Sequence, residues 1–81
     1  MEARVLLISK PDCHLCENAR LIIERVCGEL GVNWKELSIY DDPALAAEYF
    51  EAVPVTLVDG KRHDQWRVDE QRLRRALRMP E

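Results

Sequence analysis

No stretch of this 81-residue sequence stays apolar for long enough to cross a bilayer. The run from Val5 to Ile8 is far shorter than the roughly 20 residues that a transmembrane helix needs. The N-terminus lacks the basic region and the long apolar region of a signal peptide, and no repeat, linker or low-complexity segment occurs. We therefore expect a single domain over residues 1–81 that resides in the cytoplasm and has no membrane partner.

Cysteine is scarce and odd in number, with only Cys13, Cys16 and Cys27. An odd count in a chain without a secretion signal argues against a framework of structural disulfides. The remaining roles for these cysteines are catalysis, metal binding and packing in the core. The spacing of the cysteines along the chain distinguishes between these roles.

Basic residues are few before residue 61, but residues 61–81 hold seven basic and four acidic residues within a chain of net charge −3. A basic tail can indicate nucleic-acid binding. Arg74, Arg75 and Arg78 fall in the last turns of a predicted helix, where cations favour the helix dipole. No aromatic residue alternates with them, as stacking on single strands requires. We therefore expect no nucleic-acid partner.

A long amphipathic helix is the most regular pattern in the sequence. Before it, residues 3–9 are almost all apolar and rich in branched side chains, which predicts a strand buried on both faces. From residue 13 to residue 30 the apolar spacing becomes helical, and Gly31 is a natural C-terminal stop. The apolar stripe consists of Leu15, Ala19, Ile22, Ile23, Val26, Cys27 and Leu30.

Two shorter elements follow. Residues 33–40 alternate between apolar and polar side chains and predict an edge strand. Asp42 is a suitable helix N-cap and Pro43 suits the first helical turn, so a short helix is expected through about residue 51. The side chains that this helix is expected to bury are Leu45, Ala46, Tyr49 and Phe50.

The last third of the sequence predicts a hairpin and a helix. A strand at residues 55–58 is followed by Asp59-Gly60, a strong two-residue hairpin signal, and a second strand returns through about Trp66. The large ring of Trp66 lies either in the core or in the wall of a substrate groove, and we favour the core. Asp69 caps the last helix, whose inward side chains are Leu73, Ala76 and Leu77.

The predicted order is β-α-β-α-β-β-α. A right-handed crossover makes the first two strands parallel, and the hairpin adds an antiparallel pair. The sequence therefore predicts an α/β fold of three layers, in which a four-stranded mixed sheet carries helices on its faces.

The motif Cys13-His14-Leu15-Cys16 lies directly after a buried strand and begins the long helix. A C-x-x-C in this position of a βαβ unit is typical of redox proteins. Backbone N–H groups and the positive end of the helix dipole stabilise a thiolate at Cys13 and lower its pKa. Protonated His14 and Lys10 add to this effect, and nearby carboxylates oppose it.

The spacing also lets two of the sulfurs join. Residues three apart on a helix have Cα atoms about 5–6 Å apart, within disulfide range. We expect Cys13, nearer the helix end, to be the nucleophile and Cys16, one turn deeper, to resolve the mixed disulfide without any metal or organic cofactor. Cys27 lies about 16 Å further along the helix and is expected to be a small core residue.

Metal binding is the alternative use of the motif. It assigns Cys13, His14 and Cys16 as zinc ligands, with His63 as the fourth. Adjacent residues on a helix point about 100° apart, and no second C-x-x-C or H-x-x-H occurs in the sequence. His63 stands between two charged residues in a predicted strand and is more typical of a solvated surface side chain. We therefore expect no metal site.

Val53-Pro54 before the third strand is the second motif. Proline at the first position of a strand costs no ladder hydrogen bond, so alone it indicates only where the strand begins. Residues 9–16 read Ser-Lys-Pro-Asp-Cys-His-Leu-Cys. Together with Val53-Pro54 and the order of elements over nearly the whole chain, they make the sequence resemble the glutaredoxins, a branch of the thioredoxin fold. It is most similar to short bacterial glutaredoxin-like proteins with Cys-His-Leu-Cys.

The resemblance implies a thioredoxin-like fold in which Pro54 is cis and lies beside Cys13. It implies that backbone groups of Val53 pair with the substrate's backbone in the manner of a strand. It also implies that Lys10 meets a carboxylate of glutathione, and that Asp69 is the acidic residue of the site for the γ-glutamyl group.

The sequence departs from the glutaredoxin pattern before the last helix. Trp66 and Arg67 stand where these proteins usually carry a Gly-Gly pair, which allows close backbone approach. Both glutathione and protein disulfides therefore remain as substrates. The sequence predicts a monomeric thiol–disulfide oxidoreductase or electron carrier, with no cofactor beyond glutathione as a co-substrate. The alternative is a thioredoxin-like binding module whose cysteines are idle or hold zinc.

Overall fold

Seven elements follow one another in the order β-α-β-α-β-β-α in the computed structural model, which describes residues 3–79. They are β1 (Val5–Ser9), α1 (His14–Leu30), β2 (Trp34–Ser38), α2 (Pro43–Tyr49), β3 (Val55–Val58), β4 (Lys61–Gln65) and α3 (Glu70–Arg78). The predicted order is confirmed, and the strands and α2 are slightly shorter than the sequence patterns. None of the helices in the described range is long and apolar enough for a membrane span.

The four strands form one mixed sheet in the order β2-β1-β3-β4. Strand β1 runs parallel to β2 and antiparallel to β3, and β4 runs antiparallel to β3. The predicted mixed sheet is confirmed, with β2 at an edge. Its strand directions bring the C-terminal ends of β1, β2 and β4 and the N-terminal end of β3 to the same edge, where the cysteine motif begins α1.

The core lies on both faces of the sheet. On the side of α1 and α3 the buried residues are Val5, Leu7, Ala19, Ile23, Val26, Cys27, Val58, Leu73 and Leu77. On the side of α2 they are Ile8, Cys16, Ile39, Tyr49, Val53 and Val55. Cys27 is therefore a core residue as predicted, whereas Cys16 packs with the second group, beside the C-terminal end of β1.

A cluster of polar side chains joins α1 to the edge strand β2. The carboxylate of Glu36 accepts hydrogen bonds from the Ser9 hydroxyl at 2.6 Å and from Arg20 Nε and Nη2 at 2.7 and 2.8 Å. The hydrogen bonds from Arg20 lower the pKa of Glu36; burial opposes this shift and the bond from Ser9 reinforces it. This network holds the first helix turns after the cysteine motif against the sheet.

Two aromatic side chains that were predicted in the core are exposed instead. Phe50 is 56% exposed. Its backbone is still helical at the C-cap of α2, but its side chain points about 100° away from that of Tyr49, which takes the inward position. Trp66 is 51% exposed. Its backbone has a positive φ of 67° directly after β4, and this turn directs the ring out of the sheet instead of continuing the alternation of the strand.

The prediction that His63 is a solvated side chain is wrong. Strand pairing shifts by one residue in β4, since Thr56 pairs with Asp64 and Leu57 with Arg62, which leaves His63 as the extra residue of a bulge. Its Nε2 is buried and has no hydrogen-bond partner among residues 3–79. Burial, and next the charge of Arg72, lower the pKa of His63.

The Glu36 network yields a prediction for stability. The Glu36→Gln substitution removes the charge that both partners hydrogen-bond, so we expect a loss of about 1.5–3 kcal/mol in the free energy of unfolding at pH 7. Because the pKa of folded Glu36 is below its ordinary value of 4.5, the stabilisation is complete above about that pH. It is lost as the pH falls through the pKa of the folded state.

Urea unfolding at pH 7 and pH 3 measures this effect. The wild type and Glu36→Gln should differ most at pH 7 and approach each other at pH 3. Glu29→Gln is the matched control, because Glu29 pairs with Arg74 on the surface, with its side chain 53% exposed, and should change stability much less. Equal losses in both variants would contradict the special role of the Glu36 network.

Candidate active site

The site begins where the chain leaves β1 and enters α1. Cys13 is the N-cap of α1, with extended φ and ψ of −124° and 110°. The first N–H groups of a helix have no partner within it, and an N-cap side chain usually supplies one, most often an oxygen of Ser, Thr, Asp or Asn. Here the cap is a sulfur: the backbone N–H of Cys16 donates to Cys13 Sγ at 3.1 Å.

Cys13 and Cys16 are joined in a disulfide, with their Cα atoms 5.2 Å apart. The two sulfurs lie in different surroundings. Cys13 is half-buried at the helix end, whereas Cys16 is 1% exposed and packs among apolar side chains. A substrate disulfide can therefore contact Cys13 Sγ more easily than Cys16 Sγ, which is bonded to Cys13 and buried.

Val53 and Pro54 belong to the segment that leads into β3. The Val53–Pro54 peptide bond is cis, as the resemblance implies, and Pro54 is fully buried. Cys13 packs against the core group that contains Val53. The N–H of Val53 is not free for a substrate, because it donates to the Tyr49 carbonyl at 3.2 Å in a turn that continues α2. Within residues 3–79 the Val53 carbonyl has no hydrogen-bond partner.

The predicted charged residues of the site differ in their surroundings. Lys10 is half-buried in the connection after β1, and its ammonium has no ion-pair partner in the described part of the chain. The His14 side chain is fully exposed, with Nδ1 3.9 Å from the Glu17 carboxylate, so water screens this contact. Asp69 is committed to capping α3, where its Oδ1 accepts from the Arg72 N–H at 3.1 Å.

The remaining sulfur and histidine do not join the site. Burial raises the pKa of the Cys27 thiol to about 11, so it remains protonated near neutral pH. His63 lies in β4 and not in the connection that carries the cysteines. Among residues 3–79 no three His, Cys, Asp or Glu side chains come together as metal ligands would.

Trp66 lies outside the core, so the favoured expectation is wrong and its position near the site agrees with the alternative. The Trp66 N–H donates to the Pro54 carbonyl at 2.7 Å, and its indole Nε1 donates to the Glu51 carbonyl at 3.2 Å. Trp66 therefore borders the segment that contains the cis peptide. The signal in the sequence was the replacement of a usual Gly-Gly pair by Trp66 and Arg67, which pointed to altered contacts at this position.

Comparison with known proteins identifies the family. The profile of the glutaredoxin-like domain (DUF836) matches residues 4–78. The chain belongs to this glutaredoxin-like family. An uncharacterised protein of Mycobacterium tuberculosis is 32% identical to it, over 88% of this chain and 78% of that protein.

Solved structures agree with the fold of this glutaredoxin-like domain. A structural-genomics target protein of X. campestris, solved by X-ray, superimposes with a TM-score of 0.72 at 31% identity, over 91% of this chain and 95% of that one. A glutaredoxin of Archaeoglobus fulgidus superimposes with a TM-score of 0.65 at 18% identity, over 95% and 88% of the two chains, and supports the fold alone. The family and the close cysteine pair together support a redox role.

The environments of the three cysteines predict an order of alkylation. In the reduced, folded protein, iodoacetamide should modify Cys13 first and leave Cys27 unmodified, because alkylation requires a thiolate and Cys27 is 1% exposed with a raised pKa. Peptide mass mapping of samples quenched over time measures each site. In denaturant all three should react at similar rates, which serves as the control. Rapid modification of Cys27 in the folded protein would contradict its place in the core.

Proposed function

We propose that this glutaredoxin-like domain is a thiol–disulfide oxidoreductase that acts through Cys13 and Cys16 on glutathione mixed disulfides or protein disulfides. The observation that carries the proposal is the disulfide at the start of α1, where the Cys16 N–H donates to Cys13 Sγ. A hydrogen bond from a helix N-terminus stabilises a charged sulfur more than a neutral one. The reduced form of the pair therefore has an activated thiolate at its accessible position.

Reduction of a substrate disulfide proceeds in two exchange steps. The Cys13 thiolate attacks one substrate sulfur, forms a mixed disulfide and releases the other sulfur as a thiolate. The Cys16 thiol then loses its proton, attacks Cys13 Sγ and releases the second substrate thiolate. In total the substrate gains two electrons and, after protonation, two protons, while Cys13 and Cys16 become a disulfide. A thiol reductant such as glutathione then reduces the Cys13–Cys16 disulfide back to the dithiol.

The surrounding residues have supporting roles in the proposal. The Val53 carbonyl is available to accept a hydrogen bond from the backbone of a substrate, and Pro54 shapes the groove beside Cys13. The half-buried Lys10 attracts a substrate carboxylate and favours the thiolate, more strongly than the exposed His14. Asp69 offers its second carboxylate oxygen to an amine of the substrate, because the first caps α3.

The chemistry of the exchange indicates the cellular compartment and the partners of the domain. A dithiol that reduces substrates needs a pool of reducing thiols, which favours the cytoplasm, and the exchange itself requires no metal or organic cofactor. We propose that the domain acts as a monomer, with disulfide-bearing proteins or glutathione as its partners and neither nucleic acid nor membrane.

Cysteine substitutions test the proposal. Cys13→Ser should abolish reduction of a disulfide substrate, because the attacking sulfur is lost. Cys16→Ser should accumulate the mixed disulfide at Cys13, because the resolving step is lost, and mass spectrometry detects the added substrate mass. Cys27→Ser should retain the exchange rate of the wild type and is the matched control.

The alternative of a binding module gives different results. If the cysteines are idle, Cys16→Ser forms no mixed disulfide, and the wild-type pair does not equilibrate with a glutathione redox buffer. If they hold zinc, the purified protein contains about one zinc per chain, which Cys13→Ser removes. Either result would overturn the proposed exchange activity.

A further inference from the structure

A groove lies between α1 and the segment that joins β4 to α3. It has a volume of about 420 Å³, within the range of about 300–1,000 Å³ that is common for binding sites. Leu15 and Ile22 of α1 form one wall and Trp66 with Val68 the other. Leu15, which stands between Cys13 and Cys16 in the sequence, lines one end of the groove, so this end lies near the cysteine motif.

Exposed apolar side chains line this groove. Six large hydrophobic side chains are exposed among residues 3–79, and three of them, Leu15, Leu21 and Trp66, line the groove. Exposed apolar surface that is concentrated in one place marks an interaction site more often than apolar residues scattered singly do.

Trp66 is held in place as a wall of the groove. Its φ of 67° is unusual for a bulky residue, and such backbone conformations cluster at ligand-binding sites. Its two hydrogen bonds, to the carbonyls of Pro54 and Glu51, fix both backbone and ring. The ring therefore offers a rigid apolar face next to the site of exchange.

The groove also carries a positive charge without a partner. Arg25, on α1, is paired with Glu70. Arg67, which lines the groove beside Trp66, is exposed and has no carboxylate partner in the described range. A ligand that complements this groove therefore combines an apolar side chain with a carboxylate.

The length of the groove fits a short extended peptide. Leu15 and Ile22 are seven residues apart, which corresponds to about 10 Å along a helix. An extended peptide covers this distance in about three residues. A side chain that fills the groove therefore lies two or three residues from the cysteine that exchanges with Cys13.

We propose that this groove selects protein disulfides in which a bulky apolar residue, followed by an acidic residue, lies two or three positions from the reacting cysteine. The apolar side chain packs between α1 and Trp66, and the carboxylate pairs with Arg67. This inference rests on the proposed exchange activity and names the class of protein substrate for it.

Synthetic peptide disulfides test the selection. Each is a symmetric dimer with one cysteine per strand, flanked on both sides by Gly-Leu-Leu-Asp read outward from the cysteine. One comparison peptide replaces the leucines by serine and another replaces the aspartates by lysine. The reduced full-length protein is mixed with excess peptide, and acid quenching with mass analysis gives the second-order rate constant for oxidation of its dithiol.

The wild type should react about tenfold faster with the leucine peptide than with the serine peptide, a ratio typical of filling an apolar site. The wild type should also react faster with the aspartate peptide than with the lysine peptide. This difference in rate should shrink in about 1 M salt, which screens exposed charges. Trp66→Gly should bring the leucine-to-serine ratio close to one. Glycine adopts the positive φ without strain, and thermal unfolding checks that the variant is folded.

Matched variants test whether the preference arises in the groove or from the charge and apolar surface of the protein elsewhere. Arg67→Glu should reverse the preference for aspartate, whereas Arg75→Glu, an exposed arginine of α3 outside the groove, should leave it unchanged. Tyr40→Ser should retain the leucine preference, because Tyr40 does not line the groove. A loss in Tyr40→Ser as large as in Trp66→Gly would overturn the assignment to the groove.

Failure of the inference is distinguishable from failure of the exchange activity. If oxidised glutathione oxidises the wild-type dithiol but all peptides react at equal rates, the selection by the groove is wrong and the exchange activity stands. If neither glutathione disulfide nor any peptide oxidises Cys13 and Cys16, both the exchange activity and the selection are wrong.

Discussion

A backbone N–H at the start of α1 donates to a sulfur where helices usually supply a side-chain oxygen. This hydrogen bond connects the fold to the proposed chemistry, because it caps the helix and solvates a thiolate with the same atoms. In the disulfide the sulfur is a weak, neutral acceptor, whereas a thiolate accepts a stronger hydrogen bond from the same N–H. In the exchange that we propose, the helix N-terminus therefore favours the reduced pair over the disulfide.

Position along α1 gives three identical side chains different properties. Cys13 lies at the end of the helix, within reach of a partner. Cys16, one turn further, is enclosed by the core group on the α2 side yet remains bonded to Cys13. Cys27 faces the opposite core group, and burial raises its pKa to about 11. In the exchange that we propose, the depth of each sulfur in the core separates the nucleophile Cys13 and the resolving thiol Cys16 from the buried Cys27.

Local signals in the sequence were sufficient for most of the fold and for the cysteine pair. The crossover from β1 through α1, the cap at Asp42 and the Asp59-Gly60 hairpin all depend on neighbouring residues, and the structure confirms them. Phe50 and His63 could not be placed in this way. Tyr49, and not Phe50, turns inward because it packs with residues of β1 and β3, and the bulge in β4 is an irregularity of its pairing with β3. Neither can be recognised from the pattern of residues along a single element.

Trp66 shows how the groove and the exchange site can act as one unit. A non-glycine residue with this φ costs about 1–3 kcal/mol and persists only where surrounding contacts compensate for it. Here the compensating bonds reach the carbonyls of Glu51 and Pro54, in the segment that also contains Val53. In the complex that we propose, a peptide that packs on the indole lies next to the same segment that offers the Val53 carbonyl to its backbone. In that complex, selection by a side chain and orientation of the disulfide reinforce each other.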